Sequence, residues 1–80
     1  MKRPMVLVEW IDSALYTGWK KRRNDYCPSS CQTIGFLLER GRKQVVVAMQ
    51  LNDEEDVGEV MVIPRCNVLS ITRLYPQVKQ

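Results

Sequence analysis

The chain has no histidine among its 80 residues. That removes the side chain best suited to moving protons near neutral pH. It has only four glycines, and none falls in a phosphate-cradling loop or a nucleophile elbow. Catalysis is therefore not expected, and neither is a cofactor. No apolar run approaches the roughly 20 residues that a helix needs to cross a bilayer. The opening "MKRPMVLVEW" offers too short an apolar stretch before Glu9 for a secretory signal. A cytoplasmic location without a membrane partner is the expectation. Cysteine is scarce as well: Cys27, Cys31 and Cys66 are an odd number, which does not suit a closed disulfide framework and agrees with a reducing compartment.

What is present is ordinary for a globular domain. Hydrophobic residues make up 45% and charged residues 26%, too apolar a mixture for disorder. The length gives one domain, residues 1–80. So short a chain buries only roughly 60% of the surface its unfolded form exposes, which leaves a marginal core. A homo-oligomer is expected, because the exposed edges of a small sheet invite pairing between chains. The net charge of +3 hides an asymmetry. Residues 1–43 hold nine Lys or Arg against four Asp or Glu, and residues 44–80 hold three against five. Such polarity attracts phosphates or matches one copy of the chain to the next.

Along the chain the signals are for strands. "MVLVEWID" is rich in β-branched and aromatic residues, follows Pro4 and is too short for a helix. Residues 13–32, "SALYTGWKKRRNDYCPSSCQ", break all periodicity with Gly18, Pro28 and a cluster of Ser and Asn, and read as a long loop with room for one helical turn at its start. Loops of this length in small domains commonly carry function. "TIGFLLE" and "QVVVAMQL" flank Arg40-Gly41-Arg42-Lys43, a hairpin signal. Ile34, Phe36 and Leu38 would share one face, as would Val45, Val47 and Met49, while Leu37 and Val46 make the opposite faces partly apolar. "NDEEDVGE" is an acidic turn into "VMVI". Pro64 cannot serve a central ladder, so the strand must stop or bend at "PRCN" before "VLSITRL". The sum is an all-β chain of five strands with a long basic first loop, a layout that resembles the small SH3-like and Sm-like barrels; the resemblance implies a five-stranded barrel with a short 3₁₀ turn before the last strand.

The elements "VEWID", "GW", "TIGFLLE", "VVVAMQ", "GEVMVIP" and "VLSITRL", spread over residues 6–74, together resemble a group of small proteins encoded by tailed phages and prophages. The resemblance implies a phage protein acting in the bacterial host cytoplasm. "KKRRNDYCPSSC" lies outside the shared pattern.

Four stretches are candidate sites. In "YTGWKKRR", Tyr16 and Trp19 precede Lys20, Lys21, Arg22 and Arg23. Rings stack on bases while cations neutralise phosphates, the combination that holds nucleotides and single strands. The plainer reading is a solvated loop with Trp19 tucked onto the barrel. In "CPSSC", Cys27 and Cys31 have zinc-ligand spacing and Cys66 would make a third thiolate. A structural site takes four ligands, so Asp25, a water or another subunit would have to complete it. The simpler alternatives are a Cys27–Cys31 disulfide, or two free thiols with Cys66 as a small buried hydrophobe. In "NDEEDVGE" the carboxylates lack the alternating spacing of a calcium loop and read as a solvated turn. In "VEWID", Glu9 and Asp12 fall on opposite faces of a strand, and Trp10 reads as core.

Two functional classes follow. One is a non-enzymatic binder that occupies a host protein or signalling nucleotide and so counters host defence. The other is an oligomeric, Sm-like nucleic-acid binder. A minor virion or assembly part is a third.

Overall fold

Alternation decides which residues are buried. Val6 and Val8 on the first strand, Val45 and Val47 on the third and Ile63 on the fourth form the buried cluster of the protein. A computed structural model describes residues 3–75. It shows β1 (Met5–Asp12), β2 (Ser29–Arg40), β3 (Gln44–Leu51), β4 (Val57–Pro64), a 3₁₀ turn η1 (Arg65–Asn67) and β5 (Val68–Leu74). All pairings are antiparallel, in one five-stranded sheet of order β4-β3-β2-β1-β5. The all-β expectation holds, and β1 and β3 span the residues read as strands.

The inner face of the sheet is continuous across strands. Val6 lies opposite Gly35 and Val8 opposite Thr33, while Leu37 faces Val47, and Val47 in turn faces Met61. Trp10, Val68 and Ile71 pack against the same cluster. Residues from both ends of the strand order therefore share one core, which requires the sheet to coil. Two irregularities help it. The register of β2 against β3 shifts between Leu37 and Glu39, and that of β1 against β5 shifts between Glu9 and Trp10. Extra residues of this kind bend a strand and raise its twist. Gly35 is the third device. A Cβ built there would stand 2.5 Å from the Ala48 carbonyl oxygen and 2.6 Å from Val47 Cγ1, so the β2 and β3 backbones come too close for any side chain.

The one buried polar side chain among the described residues is Thr33. Its hydroxyl accepts a 3.0 Å hydrogen bond from Trp10 Nε1 and donates to Met61 Sδ at 3.6 Å. The expectation that Trp10 belongs to the core is met at its margin, where the ring packs and its N–H is satisfied.

Several expectations need correction. β2 begins at Ser29, so residues 29–32 are strand and the loop is 13–28. The polar composition of "SSCQ" masked this, because here β1 supplies the ladder, with Trp10 opposite Cys31 and Asp12 opposite Ser29. No helical turn forms at the start of the loop. On β2 Ile34 and Phe36 share one face as expected, and the shift at Leu38 takes that residue out of alternation; the face turned to the core is the opposite one, Thr33, Gly35 and Leu37. Cys66, in η1, is exposed rather than buried. β4 and β5 stand at the two ends of the order and are not paired with each other among the described residues.

Pro64 is compatible with β4 for a simple reason. Arg65 N–H donates to the Lys43 carbonyl at 2.8 Å, so the ladder bonds belong to the odd-numbered residues of β4, since bonded pairs alternate along an antiparallel ladder. Pro64 then turns its nitrogen toward the open edge, where no hydrogen is required. Along the same edge Glu59 has φ 53°, a left-handed conformation that interrupts the regular strand.

Candidate functional site

Among the described residues, the loop between β1 and β2 is the one long excursion from the sheet. Every residue from Asp12 to Ser30 is exposed. The described protein measures 54 × 31 × 23 Å with a radius of gyration of 16.3 Å, against about 12 Å for a compact chain of this length. A segment with so little burial stays together only through contacts of its own.

Two tyrosines supply them. Tyr16, near the beginning of the loop, and Tyr26, near its end, meet edge to face with ring centroids 5.0 Å apart. The Tyr16 hydroxyl donates to the Cys27 carbonyl at 3.1 Å and lies 3.4 Å from the Cys27 N–H, which donates back to it. The ascending and descending arms are thereby joined. Arg23 completes the base: its guanidinium carbon is 5.4 Å from both ring centroids, its Nε donates to Asp25 Oδ1 at 2.8 Å, and its backbone N–H donates to Tyr26 Oη at 3.4 Å. Gly18, with φ 84°, takes the left-handed turn just before the tip.

This assembly sorts the six residues expected to bind. Tyr16, Lys20 and Arg23 line a recess of about 90 Å³ that is completed by Thr17, Gly18 and Tyr26. That is room enough to admit water or one small anion. Trp19 stands outside the recess and is fully exposed, at 104% of its reference area. It is not tucked onto the sheet, which corrects the plainer reading of the loop. Lys20, Lys21 and Arg22 are all exposed. Arg23 differs from them, because its charge is already matched by Asp25 and by two ring faces. Tyr26 was missed by the sequence reading. The available signal was its place near the end of the loop, mirroring Tyr16 near the start.

The cysteines do not converge. Among the described residues no group of three or more Cys, Asp or Glu side chains is placed to hold a metal ion, and Cys27, Cys31 and Cys66 are free thiols. Cys31 belongs to β2, and Cys66 lines a shallow groove with Ile11, Pro28 and Leu69 between η1 and the base of the loop. The acidic turn is closed by one side chain. Asn52 Oδ1 accepts from the N–H of Glu54 at 3.0 Å and of Asp56 at 2.8 Å, which leaves Asp53 and Glu54 in solvent. Among the described residues no helix is long and apolar enough to cross a membrane.

Comparison with family models, with curated proteins and with solved structures finds no match to this chain.

Proposed function

We propose that the protein is a non-enzymatic binder, encoded by a phage, that presents the tip of its first loop to an anionic ligand or partner in the host cytoplasm, occupying a host factor or signalling nucleotide and so countering defence. The phage origin rests on the sequence pattern of residues 6–74. One observation carries the binding role: a fully exposed indole at Trp19 is followed directly by three exposed cations, on a loop braced from within by Tyr16, Arg23 and Tyr26. An exposed tryptophan beside unmatched positive charge gains by stacking on a base or a partner ring while the cations meet phosphates or carboxylates. Bracing lowers the entropy lost when the loop engages.

The same feature favours a second reading, binding of single-stranded nucleic acid by an oligomer. The order β4-β3-β2-β1-β5, with β4 and β5 joined through η1, supports the finer proposal of an SH3-like or Sm-like barrel.

Nucleotides and a short labelled oligonucleotide, titrated into the protein at two salt concentrations, test both readings. Replacing Lys20, Lys21 and Arg22 with serine, and keeping Arg23 for its structural part, is expected to weaken binding at least tenfold. For a single strand contacting all three cations, the slope of log affinity against log salt is about −2. An unchanged affinity in the triple variant would reject the loop as the site. Binding of a nucleotide but not the oligonucleotide selects the first reading over the second.

A further inference from the structure

The twelve Lys and Arg residues of this protein do not stand alike before an enzyme that cuts after them. Such an endoprotease needs a basic side chain free to enter its pocket and a backbone free to lie extended in its cleft. Most of the chain's basic residues fail one requirement. Arg3 is followed by Pro4, whose ring fixes the backbone at the bond to be cut. Arg40 on β2 is paired with Val45, and Arg73 on β5 with Val6. Arg42 and Lys43 lie in the turn closed by the Gly41 N–H, which donates to the Gln44 carbonyl at 2.9 Å, and the Lys43 carbonyl accepts from the Arg65 N–H at 2.8 Å. Arg65 is fixed in η1, where its own carbonyl accepts from the Val68 N–H. Lys2 and Lys79 fall outside the described residues.

Lys20, Lys21 and Arg22 meet both requirements. Each is exposed, and among the described residues no hydrogen bond or ion pair involves positions 17–22. That stretch hangs between Tyr16 and Arg23, the two ends of the brace, and drawn out straight it spans about 20 Å. Arg23 closes the run differently. Its guanidinium is held by Asp25 and by both tyrosine rings, so the bond after it lacks a free side chain.

We propose that the loop tip is a processing site: an endoprotease specific for Lys and Arg cuts the native protein after Lys20, Lys21 or Arg22, spares Arg23, and leaves a folded protein of two chains. The reaction is a hydrolysis. Water adds across one amide, its hydroxyl going to the carbonyl carbon and its proton to the departing nitrogen, so solvent is the only co-reactant. The two-chain product follows from where the short fragment sits. It carries β1, which lies between β2 and β5 and is paired with β2 over its whole length and with β5 from Met5 to Trp10. Val6 and Val8 belong to the buried cluster, and Trp10 Nε1 donates to Thr33 on the other fragment. Tyr16 still meets Tyr26 and the Cys27 carbonyl across the cut. Losing the covalent link removes the effective concentration it supplied and leaves these contacts in place. The tip, by contrast, becomes two loose ends, which forfeits the preorganisation that favours capture of a ligand. This last consequence rests on the binding role proposed above; the cleavage itself does not.

Brief digestion of the whole chain with trypsin, read by mass spectrometry, tests the site. The first products are expected to end at residue 20, 21 or 22, and the two fragments to leave a sizing column together and to part in urea. Replacing Lys20, Lys21 and Arg22 with serine is expected to slow the first cut at least tenfold. In that background Tyr16→Ala, which removes one ring and the bond to Cys27, is expected to free Arg23 and speed cutting after it at least tenfold. An unchanged rate there would reject the sparing of Arg23. First cuts after Arg40, Arg42, Lys43, Arg65 or Arg73 in the wild type overturn the assignment of the site, and fragments that separate without denaturant overturn the two-chain product. No readout uses a ligand, so failure here and failure of the proposed function are distinguishable.

Discussion

The sheet and the first loop solve the same problem by opposite means. In the sheet, backbone ladders fix the chain and apolar side chains from strands far apart in sequence share one interior. In the loop, every residue is exposed and order comes from side chains within a dozen positions of one another: Tyr16 with Cys27, and Arg23 with both tyrosines and Asp25. The lesson is one of coupling. A change in the sheet is felt by the whole protein, because many residues share each contact, while a change in the loop is felt only there, because solvent stands ready to replace whatever is lost.

Substitutions can break this contrast or refine it. The largest effect is expected for Gly35→Ala, which forces a methyl group into the backbone of β3. Loss of about 3 kcal/mol or more of stability in urea unfolding is the expected outcome, and a loss under about 1 kcal/mol would mean that β2 and β3 are not so close. Asn52→Ala is next. It removes the acceptor for two backbone amides in the acidic turn, and about 1–2 kcal/mol should follow. This variant sharpens the comparison, because a short turn tied directly into β3 and β4 is expected to behave like sheet rather than like loop. Trp10→Phe keeps most of the ring but loses the hydrogen bond to Thr33. About 1 kcal/mol is expected, and Thr33→Val in the same background should then add less than it does alone. The smallest global effect belongs to Tyr26→Ala. Stability is expected to change by less than about 0.5 kcal/mol, while hydrogen exchange at residues 16–27 accelerates. Cooperative destabilisation of the sheet by that variant would end the distinction.

Much of the strand layout was legible in the sequence. β-branched runs bounded by Pro4, by the Gly41 gap and by the acidic turn mark β1, β3 and β4, since strand propensity and turn chemistry are local properties. The break after Pro64 was legible for the same reason, while its 3₁₀ form was implied only by the likeness of the layout to small SH3-like and Sm-like barrels. The start of β2 was not. "SSCQ" has no strand propensity of its own and becomes strand because β1 is long enough to pair with it. The face of β2 that turns inward was equally hidden, because Ile34, Phe36 and Leu38 look like the better core set. Gly35 and Thr33 take the inner side instead, where the sheet coils too tightly for bulk. In the candidate site, the aromatic and cationic residues announced themselves by type. That Arg23 braces the loop while Lys20, Lys21 and Arg22 take no part in the bracing depends on Tyr26 and Asp25 arriving beside Arg23.

By itself the sequence determined that this is an all-β chain with a polarised charge distribution and one long basic loop, because composition, propensity and turn residues act over a few neighbouring positions. Only the tertiary structure decided which of two apolar faces is buried and which cations remain unmatched. Both outcomes depend on pairings between residues distant in the chain, whose register and curvature no local pattern contains.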